Sequence, residues 1–171
     1  MKDIMLRITG KQISRNNDIE DSEIEFITQA VAYRKPDAIY IVYNESEVSG
    51  MEGIKANLRI GDDGEIRLKR FSDEMSANTM HFSEGNRFEG FYETPVGVIP
   101  MEVLTNSIEK HLDEELFTGS LDIDYDVSLK GLAETHTHLR IEISGIAEKS
   151  ENELGDVTPI YTSVESRPTV N

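Results

Sequence analysis

Apolar and polar residues alternate along most of this chain, at Ile4-Leu6-Ile8, Ile39-Ile41-Tyr43, Ile66-Leu68, Phe88-Tyr92, Leu121-Ile123-Tyr125-Val127-Leu129 and Leu139-Ile141-Ile143. A period of two sends successive side chains to opposite faces of a strand, so each stretch turns one face to a core and the other to water. Turn-forming clusters separate the stretches, at Asn16-Asn17-Asp18, Lys35-Pro36-Asp37, Gly61-Asp62-Asp63-Gly64, Glu84-Gly85-Asn86 and Lys130-Gly131. The clearest hairpin lies between Leu58-Ile60 and Ile66-Leu68, where glycine tolerates the positive φ of a tight turn. Nine or ten strands are expected, over 3–14, 22–34, 38–45, 54–60, 65–71, 76–83, 87–94, 97–108, 118–130 and 135–146. Short links at this spacing predict an antiparallel meander. A sheet of that size with one apolar face curls into a barrel, which avoids long unpaired edges. The expected fold is therefore all-β, a single meander barrel of 8–10 strands. Only Ser107–Leu116, where Ile108, Leu112 and Leu116 are four apart, suggests a short helical turn.

The 171 residues suit one domain, assigned to 1–147. Residues 148–171 form an acidic, polar tail with two prolines, which reads as a disordered segment. The alternation of Ile160, Thr162 and Val164 offers an extra edge strand as the other reading. Thirty-three acidic residues against seventeen basic ones give a net charge of −16. That excess repels a phosphate backbone and an anionic membrane face, so neither nucleic acid nor membrane is an expected partner. There is no cysteine, which removes disulfides, thiol nucleophiles and thiolate metal sites. Residues 1–20 carry charges throughout and contain no apolar core of a secretion signal, so a cytoplasmic protein is expected.

Chemical motifs are sparse. Asp122, Asp124 and Asp126 have calcium-loop spacing, but Val127 and Ala133 stand where such a loop needs glycine and glutamate. The three aspartates read as the wet face of their strand. His136 and His138 project to one side of a strand and are the candidate metal ligands, with Glu134 and Glu142 on that side. Arg140 shares the face and opposes a divalent ion there. No Gly-x-Ser-x-Gly elbow or phosphate-binding loop is present, and nothing argues for an enzyme or a cofactor.

Strand parity supplies the best candidate site. Continuing the inward set Ile39, Ile41, Tyr43 reaches Glu45, and continuing Ile66, Leu68 reaches Arg70. In a meander these two charges end their strands at the same end of the barrel. Tyr43, Tyr92, Thr94 and Thr105 share the inward parity of their own strands and can add hydroxyls. A polar rim over an apolar interior orients a small ligand. The same pair also reads as an architectural ion pair closing the barrel. A one-residue bulge would reverse the parity.

The run Tyr92-Glu93-Thr94-Pro95-Val96-Gly97, followed by Pro100-Met101-Glu102-Val103-Leu104-Thr105 and Ser107-Ile108, resembles the central signature of the YwiB-like proteins. Glu45-Ser46, Gly53, Leu58, Ile60, Ile66-x-Leu68-x-Arg70, Met80-x-Phe82 and Gly85 extend the resemblance upstream. Gly119, Leu121-x-Ile123-x-Tyr125-x-Val127 and Leu139-x-Ile141-x-Ile143 extend it downstream, so that it covers about residues 3–147. The resemblance implies a calycin-like, lipocalin-type barrel and no particular reaction, because the family is a domain of unknown function. Val96 departs from the expected larger residue, and the tail after Ile146 exceeds what the pattern needs. The leading expectation is a barrel that binds a small, partly apolar ligand in its mouth or interior. The alternative is a non-enzymatic interaction protein with a filled barrel, acting through its acidic surface or as a homodimer.

Overall fold

The structure, a computed structural model, describes residues 1–14, 21–46, 53–72, 78–94, 97–130 and 133–146, with the side chains of Glu93 and Thr94 excepted. The tail at 148–171 and Val96 lie outside the described residues. Ten strands follow one another: β1 (Lys2–Ser14), β2 (Ser22–Lys35), β3 (Ala38–Asn44), β4 (Lys55–Gly61), β5 (Ile66–Phe71), β6 (Asn78–Phe82), β7 (Arg87–Thr94), β8 (Gly97–Asp113), β9 (Thr118–Leu129) and β10 (Ala133–Gly145). All pair antiparallel in one sheet, ordered β6-β5-β4-β3-β2-β1-β10-β9-β8-β7. Each strand pairs with its chain neighbour, except that β1 meets β10 and that no ladder joins β6 to β7. The sheet thus rolls into a nearly closed, all-β barrel.

The alternation in sequence is the alternation of burial. Ile4, Leu6 and Ile8 of β1, Ile39, Ile41 and Tyr43 of β3, Leu58 and Ile60 of β4, and Ile66 and Leu68 of β5 are all buried. So are Leu121, Ile123 and Tyr125 of β9 and Leu139, Ile141 and Ile143 of β10, and together these residues form one continuous core. Each Leu or Ile removed from water contributes about 1.5–3 kcal/mol, so the inward face strongly favours the observed register of these strands. The β4–β5 hairpin turns at the expected place, with Gly64 at φ 88° and its amide donating to the Gly61 carbonyl at 3.0 Å.

The segment expected to hold a helical turn is a strand instead. A bulge between Thr105 and Ser107 inserts one residue into β8 and moves the inward set from odd to even positions. Ile108 and Leu112 are therefore alternate inward residues of a strand running to Asp113, and both pack against the core. A spacing of four suits a helix face and every second inward position of a strand equally. Leu116 is exposed in the turn that follows.

The same bulge closes the seam between β6 and β7. The Gly85 amide donates to the Thr105 carbonyl at 2.8 Å, and the Thr105 amide donates to the Asn86 carbonyl at 3.1 Å. The Ser83 amide donates to Thr105 Oγ1 at 3.3 Å. Alongside, the rings of His81 and Phe88 stack with centroids 4.5 Å apart. Side chains and a turn thus do here what a hydrogen-bonded ladder does elsewhere in the barrel.

Gly119, at the start of β9, has φ 138°, and a Cβ there would run into the carbonyl of His111 on β8. Gly119→Ala should lower stability by at least about 2 kcal/mol. Gly145→Ala, where a Cβ meets nothing within 4 Å, should change it by less than about 0.5 kcal/mol. Urea unfolding of both variants checks the contrast.

Candidate functional site

The C-terminal ends of β1, β3, β5, β7 and β9 gather at one end of the barrel, and Glu45 and Arg70 meet there. Arg70 Nε donates to Glu45 Oε1 at 3.1 Å, with the Glu45 side chain almost wholly buried and a quarter of the Arg70 side chain exposed. No bulge interrupts β3, β4 or β5, so inward parity carries through to both charges. The register sets Ala30, Tyr43, Ala56, Arg70 and Asn78 in one cross-strand row over β2 to β6. Ala56 lies between Tyr43 and Arg70 in that row, and Ala30 lies on the other side of Tyr43, which leaves room for the two long side chains inside the curve of the sheet.

Tyr43 adds its hydroxyl to the pair. Burial and then the neighbouring Glu45 charge push its ionisation far above the ordinary tyrosine range, and the hydroxyl donates to Glu45. For Arg70, burial works against the charge, but Glu45 outweighs it and holds the guanidinium more firmly protonated than usual. Two residues of the opposite wall complete the cluster. Tyr125 of β9 lies in the field of Arg70, and burial raises its ionisation above the usual range. Thr137 of β10 is its register partner, close to its hydroxyl and facing inward. Thr137 Oγ1 is buried and completes no hydrogen bond of ordinary geometry among the described residues. Below them the ring of Phe82 packs on Tyr125 at 4.7 Å and begins the apolar core.

The structure therefore brings together Tyr43, Glu45 and Arg70, and adds Tyr125 and Thr137. Both added residues have inward parity in the sequence; what was missing there is which strands face each other across the barrel. Thr105 is buried beside Tyr125 in register, but its hydroxyl and both its backbone groups hold the β6–β7 seam. Tyr92 sits on β7 opposite Ile99 and is 39% exposed, with no described interaction with Arg70 or Glu45. Thr94 ends β7, and its side chain lies outside the described residues.

His136 and His138 face outward over a row of acids. Register pairs His136 with Asp126, His138 with Asp124 and Arg140 with Asp122. His136 Nδ1 lies 2.8 Å from Asp126 Oδ1 and its Nε2 3.1 Å from Asp124 Oδ2. His138 Nε2 is 2.9 Å from Asp122 Oδ1, and Arg140 Nη1 donates to Asp122 Oδ2 at 2.6 Å. Asn106, the bulge residue, donates to Asp124 and Asp126. Imidazole, guanidinium and amide thus occupy the carboxylates, and no group of three or more metal-ligating side chains forms among the described residues. The arrangement is a two-strand ionic ladder. Burial opposes ionisation of Asp122, but hydrogen bonds from His138 and Arg140 outweigh it and hold its carboxyl below the usual range.

A family model for a domain of unknown function, DUF1934, matches residues 6–141. The chain belongs to the DUF1934 family. The crystal structure of the ywiB protein from Bacillus subtilis is similar to it, with a TM-score of 0.70 and 23% sequence identity over 85% of this chain and 93% of that one. At this identity the likeness carries the barrel fold alone. No curated protein matches. No helix among the described residues is long and apolar enough to cross a membrane, and neither the family nor the described geometry points to catalysis.

Two measurements follow from the two clusters. Arg70→Met strands the Glu45 carboxylate in a buried position and should cost about 3–5 kcal/mol, whereas adding Glu45→Gln should restore most of it; denaturant unfolding of both proteins reads the difference. The hydrogen bond to Asp126 is the main cause that raises the His136 ionisation above its ordinary 6.5, with Asp124 adding to it. A raised folded-state value stabilises fully below that ordinary value and is lost as pH rises through the folded-state one. Wild type should therefore exceed His136→Asn in stability at pH 5.5 by more than at pH 8.5, as melting temperatures at the two pH values will show.

Proposed function

We propose that this member of the family is a binding protein whose ligand site is the Arg70 end of the barrel. The observation that carries the reading is the state of Arg70. Its Nε is held by Glu45, and among the described residues the rest of the guanidinium has no polar partner, although a quarter of the side chain reaches the surface. The terminal nitrogens are not among the buried unsatisfied atoms, so they face solvent, where a ligand can take the place of water on donors that the described residues leave open. The buried Thr137 hydroxyl, which among the described residues has only a loose approach to Tyr125, supports the same reading. The interior does not, because Leu6, Ile41, Leu58, Leu68, Ile123 and Ile141 fill it with side chains at most 1% exposed. This reading therefore puts the ligand at the mouth and not along the axis. The mouth of a β-barrel is a common place for a small-molecule site, which supports this placement.

A second reading rests on the outer surface. The Phe91 ring on β7 is 67% exposed and borders a hollow of about 560 Å³, lined also by Glu89, Pro100, Glu102, Ser128 and Lys130. A protruding ring beside a hollow with both signs of charge suits a second copy related by a two-fold axis.

Native mass spectra of the untagged protein, followed by denaturing spectra, address both readings. Wild type should release a small-molecule mass that the Glu45→Gln/Arg70→Met variant does not carry. Equal retention by both proteins, or none in either, counts against the Arg70 site. An apo dimer that Phe91→Glu converts to monomer favours the second copy.

A further inference from the structure

We propose that the ligand of the Arg70 site is a small monocarboxylate, its carboxylate lying across the two terminal nitrogens of Arg70 and reached by the hydroxyls of Tyr125 and Thr137. The inference rests on the reading of this end of the barrel as a binding site, and adds the chemical class.

Hydrogen-bond bookkeeping gives the first argument. A guanidinium carries five N–H donors and no acceptor. One donor, at Nε, goes to Glu45 at 3.1 Å, and the edge formed by the two Nη atoms remains uncommitted among the described residues. Two parallel N–H bonds from such an edge match the spacing of carboxylate oxygens. Tyr125 is kept in its protonated, donating form by burial, and Thr137 brings a buried hydroxyl that among the described residues only loosely approaches Tyr125 and completes no hydrogen bond of ordinary geometry. Glu45, the acidic acceptor of the cluster, is already engaged by Arg70 and Tyr43. What remains at the site is therefore rich in donors, and it suits a group that only accepts. An ionised acid meets that description; an amide, which brings its own N–H₂, does not.

Charge decides between acids. Arg70 and Glu45 cancel, so the cluster is neutral before a ligand arrives, and the chain around it carries −16. A monoanion adds one negative charge to a partly desolvated neutral cluster. A phosphate near neutral pH brings up to two, and repulsion by the rest of the molecule grows in proportion. Shape limits the remainder of the ligand. Phe82 packs directly on Tyr125, and Phe82, Leu68 and Val103 beneath are at most 1% exposed, so a long acyl chain has no channel to follow. The organic part must be short or compact and stay at the mouth.

The test is a titration of the full, isotope-labelled chain, followed by amide NMR shifts, with butyrate, benzoate, butyramide, benzamide, inorganic phosphate and dodecanoate as probes. At least one of the two small acids should shift the amides of Tyr43, Arg70, Tyr125 and Thr137, with its amide counterpart at least about tenfold weaker. Thr137→Val keeps the side-chain shape and the ion pair, so it should fold as wild type does. It should weaken the bound acid about tenfold, the size expected for one hydrogen bond to a charged group, while leaving the melting temperature unchanged or higher. A purely structural Thr137 would leave acid affinity untouched, and that result overturns its assigned role. Stronger binding of phosphate, of the amides or of dodecanoate at these residues overturns the monocarboxylate assignment while the site itself stands. If no probe shifts these residues at millimolar concentration, the binding-site reading fails with it.

Discussion

The ladder between the first and last strands holds the molecule together as one object. Ile4 to Ser14 of β1 pair in register with Thr135 to Gly145 of β10, residues more than a hundred positions apart. Without it the chain would be two separate meanders, β1 to β6 and β7 to β10, each with an apolar face exposed to water. Hydrophobic burial across the barrel drives the closure, because neither half can cover its own inward face. The backbone ladder then fixes the register in which the halves join. The candidate site depends on it directly. Tyr43, Glu45 and Arg70 come from the first half and Tyr125 and Thr137 from the second, and they meet only once the sheet has rolled up.

An ion pair placed inside such a barrel is costly unless its surroundings are built for it. Desolvation penalises both charges, and the attraction offsets this only with good geometry and further hydrogen bonds. Here Glu45 receives the Arg70 Nε and the Tyr43 hydroxyl, while Ala30 and Ala56 leave the volume that the two long side chains occupy. The exposed part of Arg70 keeps the cluster in touch with solvent. The outer ladder of Asp122, Asp124 and Asp126 against His136, His138 and Arg140 is the opposite case. Its charges are partly solvated, each pair is individually weak, and its effect is to neutralise like charges along two adjacent strands.

Two features resisted a reading by residue order, for physical reasons that can be named. The bulge between Thr105 and Ser107 reversed the parity of β8, so Ile108 and Leu112 took on a helix-like spacing although the backbone was extended. Thr105 had the inward parity of a ligand-contacting hydroxyl, yet it serves the seam, because β6 and β7 leave a gap that its backbone and Oγ1 fill. Neither a bulge nor a missing ladder leaves a clear mark on alternation, since both change the pairing partner and not the side-chain type. The Glu45–Arg70 meeting was legible for the converse reason. Three consecutive hairpin-linked strands without a bulge transmit parity faithfully, and both charges end the apolar face of their strands.

By itself the sequence determined the all-β class, the number and approximate limits of the strands, the inward residues of the strands without a bulge and the outward placement of His136 and His138. These are local properties, set by a period of two and by turn chemistry, and they hold whatever the strands pair with. Only the tertiary structure decided that β1 pairs with β10, that the seam falls between β6 and β7, and that Tyr125 and Thr137 stand across from Arg70. Those facts depend on shear and closure, which arise from the fit of whole faces to one another and are written in no single strand.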